Sequence, residues 1–450
     1  MKVKAVILAA GQGTRMHSSL PKVMHPLLGR PLIEYVLDNA WTATGSKPVV
    51  VVGYGSQTIQ QSIGERADYV LQEPQLGTGH AVQQVEPLLS ADSDLVLVLL
   101  GDMPLLRGET VKQIIQAQES HSGPITMLTL TSDISHGFGR VVRDDKGIVK
   151  AIVEEAEATP QQLAIRELNA SVYCFTADWL WEALRRVPIS PKGEYYLTDM
   201  VEIAVAEGQS VQALILDEPE EGIGVNNRVH LSEAEAIMRA RINREWMLAG
   251  VTMVDPHNTY IEPDVKIGQD TTIWPNTYLK GDTMIGESCI LGPNTIVTDS
   301  HVGNRCKVVA SILENAQIAD DVDVGPFAHL RKGAHLDRGV HMGNFGEVKN
   351  SYLGPGVKMG HFSYIGDATI GPDVNIGAGT ITCNYDGEKK NHTEIGAGAF
   401  IGSDTMLVAP LKIGEGARTG AGAVVTKDVA DHTLAVGVPA RSIRKMEKCD

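Results

Sequence analysis

The apolar positions change period along the chain. Toward the N-terminus, short and wholly apolar runs alternate with amphipathic stretches. Ala5–Leu8 and Leu95–Leu100 read as buried parallel strands, and Pro48–Val52 as another. Pro31–Ala40 and Thr78–Leu89 carry helical spacing. This alternation predicts an open, doubly wound α/β sheet, whose ligands bind beyond the carboxyl ends of its strands.

From near Tyr260 the beat is different. An aliphatic residue returns every six residues, with an occasional five. The series runs through Ile267, Ile273, Leu279, Ile285, Leu291 and Val297, then Leu313, Ile318, Met359, Ile365, Ile370 and Ile376, to Ile413. This is neither the period of a helix nor that of a strand. Such a short repeat cannot bury an apolar face alone, so copies must stack. Three units then make one triangular coil of a parallel β-helix, with aliphatic residues inward and Gly where the corner needs it. The beat stops once, between Thr382 and Glu394, for Cys-Asn-Tyr-Asp-Gly-Glu-Lys-Lys-Asn-His-Thr. A loop inside a regular coil is a natural seat for function. Residues 228–249 read as a linker helix, with a capping box of Ser232 and Glu235 and a stop at Gly250. Its many charges predict a helix largely in solvent. The predicted domains are therefore 1–227, the linker 228–249, and 250–450.

Length and composition fit this division. A chain of 450 residues holds two or more domains, each with its own core. Gly is abundant, at 46 residues, because the beat supplies it. A formal charge of −16 argues against a general nucleic-acid surface while leaving room for local phosphate pockets. The five cysteines (Cys174, Cys289, Cys306, Cys383, Cys449) are scattered without a C-x-x-C pair. That spacing argues against zinc and disulfides and for a reducing, cytoplasmic setting. The apolar run after Lys4 is too short for a signal peptide, and no run is long enough to span a membrane.

Candidate chemistry gathers at the predicted strand ends. Ala9-Ala10-Gly11-Gln12-Gly13-Thr14-Arg15-Met16 follows the first strand, and Lys22 lies just beyond. Small residues there leave backbone N–H groups open to phosphates. The spacing matches neither G-x-G-x-x-G nor a Walker A loop, so an ordinary turn remains an equal reading. Asp102 follows the second strand and shares its rim with that loop. A carboxylate there suits Mg²⁺, which takes one or two protein oxygens plus substrate phosphates, but also suits a turn or cap. His80 could be a base or could hydrogen-bond locally. Gly193–Asp199 groups aromatic and polar residues as a sugar pocket would. In the coil, His361 sits at a corner, where it could serve structure or proton transfer. Lys349 could be a solvated turn residue, and Asn375 an inward polar one.

Taken together, these segments resemble the bifunctional N-acetylglucosamine-1-phosphate uridylyltransferase / glucosamine-1-phosphate N-acetyltransferase family. The resemblance covers essentially the whole chain. It rests on Leu8–Met16 with Pro21-Lys22, on Gln75–Ala81, Gly101-Asp102 and Gly222–Arg228. In the second half it rests on Gly343-Asn344-Phe345, Gly360-His361, Asn375–Thr380, Cys383–Gly387 and Gly402-Ser403-Asp404. It implies an α/β nucleotidyltransferase domain with a Rossmann-like doubly wound sheet, followed by a left-handed parallel β-helix of hexapeptide repeats. The implied product is UDP-N-acetylglucosamine, a precursor of peptidoglycan and lipopolysaccharide. Acetyl would pass from acetyl-CoA to glucosamine 1-phosphate, and uridylyl from UTP to N-acetylglucosamine 1-phosphate.

Carried over by motif, Leu8, Ala10, Gly11, Gln72, Gly77 and Thr78 would hold the nucleotide. Arg15 and Lys22 would neutralise its phosphates, and Asp102 and Asn226 would hold Mg²⁺. Gly139, Glu154 and Asn169 would meet the sugar. His361 would be the base of acetyl transfer, with Glu347 orienting it. Arg331, Lys349, Tyr364, Asn375 and Lys390 would hold the sugar phosphate, and Ala378, Asn384, Tyr385, Ser403 and Ala421 acetyl-CoA. One departure stands out: Gly437 occupies a position where the family often carries a basic contact to coenzyme A, and Arg441 is a candidate substitute. The resemblance also implies a homotrimer with the acetyl site between neighbouring coils. The competing readings are a single-function sugar-1-phosphate nucleotidyltransferase with a regulatory β-helix and a non-catalytic assembly subunit.

Overall fold

The computed structural model describes residues 1–134 and 137–446. It divides into two compact units, Met1–Met238 and Arg239–Asp450.

In the first unit, strand Val3–Ala9 lies between Val49–Val52 and Leu95–Leu100 and is parallel to both. Asp68–Leu71 extends the sheet beyond Val49–Val52. On the other side follow Glu167–Thr176, Ile125–Thr131 and Val211–Ile215. Glu167–Thr176 runs antiparallel to both of its neighbours, so the sheet is mixed. Alternation sorts each strand between two apolar layers. Ala5, Ile7 and Ala9 pack with Leu95, Leu97, Leu99 and the helices Leu32–Thr44 and Gly108–Ser120. Val6, Val96 and Val98 pack on the opposite face with Val82, Leu180 and Met200. Burial on both faces is why these strands are apolar throughout. From Val3–Ala9 the chain builds outward on one side, then returns on the other for Leu95–Leu100. That reversal opens a crevice above the carboxyl ends of the strands.

Two local expectations are corrected. The Thr78–Leu89 helix is two helices, Thr78–Gln83 and Glu86–Leu89. Pro87 lacks an N–H and its ring crowds the preceding turn, so one continuous helix cannot form. The helix Arg228–Leu248 is capped by Asn227, whose Oδ1 accepts the backbone N–H groups of Val229 and His230, both at 2.9 Å. Ser232 lies inside the helix and caps nothing, because Asn227 already satisfies the first free donors. Gly250, with φ 100°, follows the helix end in the left-handed conformation suited to a stop.

In the second unit each coil strand from Thr252–Met253 through Met406–Val408 pairs in parallel with the strand three further on. Thr272–Ile273 pairs with Ile290–Leu291, which pairs with Lys307–Val308. Among the described residues this builds sheets of twelve, ten and nine strands, the three faces of a left-handed β-helix. The first rung precedes Tyr260, since Thr252–Met253 already pairs with Thr272–Ile273. The beat residues point inward: Ile273, Leu279, Leu291, Val308 and Ile365 are fully buried. The recurrent Gly has a sharper reason than the corner. A Cβ on Gly303 would stand 2.6 Å from the carbonyl carbon of Ala319 in the next coil. Stacked backbones approach so closely there that only Gly fits, although its φ is ordinary. The left-handed corners themselves often fall on Asn or Asp, as at Asn276, Asp299 and Asp373.

The coil ends in an antiparallel hairpin of Thr433–Gly437 and Ala440–Lys445, with Gly437 at its turn. Cys449 lies outside the described residues. No described helix is long and apolar enough to cross a membrane.

Candidate functional site

The crevice of the first unit holds a cavity of about 570 Å³. Leu8, Ala10, Gly11, Lys22, Gln72, Gly77, Thr78, Asp102, Glu154 and Asn226 all line it. A Cβ on Gly11 would meet nothing within 4 Å, so this backbone stays open to a ligand. Gly13 has φ 66°, and a Cβ there would collide with the Lys22 side chain. That close approach lets Lys22 reach the cavity floor.

On the floor the Lys22 ammonium bonds the carboxylate of Asp102 and donates to Asn226 Oδ1 at 3.0 Å. Arg15 donates to the same oxygen at 3.0 Å. The Val225 N–H donates to the Asp102 carbonyl at 2.9 Å, which holds the Gly224–Asn226 segment beside the strand end. Asp102 and Asn226 thus bring one carboxylate and one amide oxygen together on the Lys22 ammonium. Among the described residues no cluster of three or more His, Cys, Asp or Glu could hold a metal. A hard ion at Asp102 would therefore need further oxygens from a phosphate, as Mg²⁺ commonly does.

The Gly77–Thr78 side of the cavity is braced by Gln72, whose amide donates to the Gly77 carbonyl at 2.9 Å. The Thr78 hydroxyl accepts the Leu197 N–H at 3.0 Å, and Gly79 and Leu76 hydrogen-bond Tyr195. The Gly193–Asp199 segment is thereby tied to this loop, and Glu194, Tyr196, Leu197 and Thr198 line the cavity. His80 is held locally: Gln72 and Gln84 engage its two ring nitrogens at 3.1 and 3.0 Å.

The opposite wall is acidic. Burial pushes the Glu154 carboxyl up, while a hydrogen bond from the Thr198 hydroxyl at 3.1 Å opposes this. Burial, then the charges of Glu202, Glu154 and Glu157, push Asp199 up to about 6. Gly139 and Asn169 stand behind the wall. The Asn169 amide donates to the Tyr173 hydroxyl at 2.8 Å, and its backbone N–H donates to the Gly139 carbonyl at 2.9 Å. A register shift between Asn169 and Tyr173, with Ser171 at φ 57°, turns Ser171 and Tyr173 into the cavity. Sequence reasoning missed both, since a bulge has no fixed residue signal.

The second unit carries a trough of about 720 Å³ on its twelve-stranded face. His361, Asn375, Ala378, Ser403 and Ala421 line it. Two parallel rows build it. One is a single in-register line of outward residues: His341, Lys358, Asn375, Phe400, Arg418, Leu434 and Arg444. The other runs along the corner: His361, Ala378, Ser403 and Ala421, each three residues after a member of the first. Small corner residues leave the trough open beside His361. Neighbouring strands lie about 4.8 Å apart, so Arg444 stands roughly 19 Å from Asn375 along the row. Among the described residues Lys358, Arg418 and Arg444 pair with no carboxylate. Arg444, not Arg441, faces the trough. Asn375 is outward, which removes the inward reading of that residue.

The remaining expected residues gather elsewhere in the chain, on the ten-stranded face and its inserted loop. Arg331 donates to Glu347 at 2.8 Å, so Glu347 is engaged there and not on His361. Lys349 sits against Lys390, and that charge, with Arg331 beyond it, lowers the affinity of Lys349 for its proton. Tyr364 lies beside Glu347 in register. Asp367 accepts from Asn384 at 2.5 Å and Asn350 at 2.6 Å, anchoring the loop base. Tyr385 is exposed, with its hydroxyl on the Gly387 carbonyl at 2.6 Å.

Known proteins match both units. Residues 5–186 match the model of the MobA-like NTP transferase domain, and residues 392–427 that of the bacterial transferase hexapeptide (six repeats). The chain is 47% identical over 436 residues to the bifunctional protein GlmU of Heliobacterium modesticaldum, across 97% of this chain and 95% of that one. It is 44% identical to the GlmU of Geobacillus sp. strain WCH70, across 100% and 98%. For the GlmU of Limosilactobacillus reuteri the identity is 43%, across 99% and 98%.

Proposed function

The chain belongs to the bifunctional GlmU family, and from that membership we infer two transfer reactions, run in two separate units, that make UDP-N-acetylglucosamine. Acetyl passes from acetyl-CoA to the amine of glucosamine 1-phosphate. Uridylyl then passes from UTP to N-acetylglucosamine 1-phosphate, releasing pyrophosphate. What carries this reading is the union of the Asp102 cavity and the His361 trough in a chain matched end to end by bifunctional relatives. A single-function enzyme with a regulatory coil would need neither a His-lined trough nor its unpaired cations.

In the first unit no protein nucleophile is needed. The sugar-phosphate oxygen attacks the α-phosphorus in line while pyrophosphate leaves. Arg15 and Lys22 take up charge on the leaving phosphates. Gln72 can offer a donor and an acceptor to the uracil edge. Glu154 accepts from sugar hydroxyls, while Asn169, tied by its backbone to Gly139, acts from behind by holding Tyr173. Asp102 and Asn226 would hold Mg²⁺, which when bound draws charge from the phosphates.

In the second unit the amine of glucosamine 1-phosphate is protonated near neutral pH. It gives one proton to solvent to free its lone pair, His361 takes a second as nitrogen attacks the thioester carbonyl, and the C–S bond breaks as His361 returns that proton to sulfur, so the coenzyme leaves as its thiol. The trough suits a long ligand with a neutral arm and a polyanionic end. Its thioester lies at His361 and its phosphates at Arg418 and Arg444, the substitutes for the basic residue absent at Gly437. Arg331, Lys349 and Lys390 form a phosphate grip. They and the trough occupy different faces of one chain, which supports a homotrimer whose neighbouring copies complete each acetyl site.

The test separates the two reactions. His361→Ala should lose acetyl transfer by a factor of about 10² or more while uridylyl transfer stays intact. Asp102→Ala should do the reverse. Normal acetylation by His361→Ala would remove it as the base.

A further inference from the structure

We propose that Lys22 is a positioning residue that keeps the Asp102–Asn226 cation site closed until a triphosphate arrives. The proposal rests on the reading of those two residues as the cation's protein ligands. Its own basis is the Lys22 ammonium, which bonds the Asp102 carboxylate and the Asn226 oxygen together. Arg15 takes a further lone pair of that same Asn226 oxygen. Asp102 is only 6% exposed, and no cluster of other ligating side chains surrounds it among the described residues.

An ammonium and a divalent cation cannot share these oxygens. They compete for the same lone pairs and repel each other, and Mg²⁺ needs its oxygens at about 2.0–2.1 Å. A metal ion entering alone must therefore displace Lys22 from its bonds to both Asp102 and Asn226. A triphosphate changes the balance twice. It gives Lys22 and Arg15 stronger anionic partners, drawing both away from Asn226. It also brings the oxygens that two protein ligands cannot supply. Nucleotide and cation thus enter together, and each raises the affinity of the other. Meanwhile Lys22 keeps the buried carboxylate paired and both oxygens aimed at one point.

The probe is Mn²⁺ titrated into the full-length protein without nucleotide, following the free-ion EPR signal. Far-UV circular dichroism and a cooperative thermal melt like that of wild type certify the fold of each preparation. Wild type should bind weakly. Lys22→Met should bind about tenfold more tightly, whereas Lys22→Arg should stay near wild type. Mn²⁺ should also raise the melting temperature of Lys22→Met more than that of wild type. A purely structural role for Lys22 would not increase metal affinity. The proposal is overturned if Lys22→Met binds Mn²⁺ no more tightly than wild type, including the case where neither binds. Adding Asp102→Asn to Lys22→Met should abolish the gain. If the gain survives, the metal lies elsewhere and the reading of Asp102 fails instead.

Discussion

The two units make their sites in opposite ways. In the first, irregular loops at the ends of buried strands converge on one crevice. Residues as distant as Lys22, Asp102 and Asn226 meet because strand order reverses beneath them. In the second, regularity itself builds the site. Register carries His341, Lys358, Asn375, Phe400, Arg418, Leu434 and Arg444 into one line. The trough lies where the repeat is decorated, and the one interruption brings Lys390 against Lys349 on another face. The loop sheet tolerates local change and loses function; the coil tolerates decoration and loses stability when its stacking is touched.

Glycine gives the sharpest contrast. Gly303→Ala would push a methyl group into the backbone of the next coil. It should destabilise the second unit by as much as about 3 kcal/mol, read as a lower denaturant midpoint. Gly11→Ala meets only open space. Its stability should stay within about 0.5 kcal/mol of wild type while uridylyl transfer falls. Equal stability losses in the two variants would break the comparison.

Smaller effects should come from the ends of the trough. Arg418→Ala and Arg444→Ala should each raise KM for acetyl-CoA about tenfold, near 1.4 kcal/mol, with kcat little changed. Arg441→Ala should do neither. Acetyl-dephospho-CoA should feel the two substitutions less than acetyl-CoA, because it lacks one phosphate.

The smallest effect belongs to Asp199. Its carboxyl is raised from 3.8 to about 6 by burial and by neighbouring acids. The native state therefore keeps a proton that the unfolded chain releases near 3.8. Stability falls as pH rises between these values, and the loss is complete above about 6. Asp199→Asn should stabilise the protein at pH 8 by about 1 kcal/mol, after discounting for solvent screening. At pH 4 the gain should vanish. A gain independent of pH would point to packing instead of charge.

Much of this was legible in sequence because the relevant signals are short-range. The runs Ala5–Leu8 and Leu95–Leu100 announce buried strands, and the six-residue beat announces the coil. Asp102 and the Gly11 loop follow those strands directly. What was hidden depends on register or on competition between local signals. Arg418 and Arg444 join the trough only through cross-coil pairing, which no sequence window contains. Ser171 and Tyr173 enter the cavity through a bulge. Ser232 carries a proper capping signature, but Asn227 takes the role first. Pro87 divides Thr78–Leu89, although the apolar spacing across it runs on as in one helix.

If one chain runs two chemistries at separable sites, variants that each lack one site should complement each other. The most direct test supplies glucosamine 1-phosphate, acetyl-CoA, UTP and Mg²⁺ to His361→Ala, to Asp102→Ala, and to a mixture of the two. Neither variant alone should make UDP-N-acetylglucosamine, and the mixture should make it, because the acetylated intermediate can pass between them. Product from either variant alone, or none from the mixture, would contradict the account.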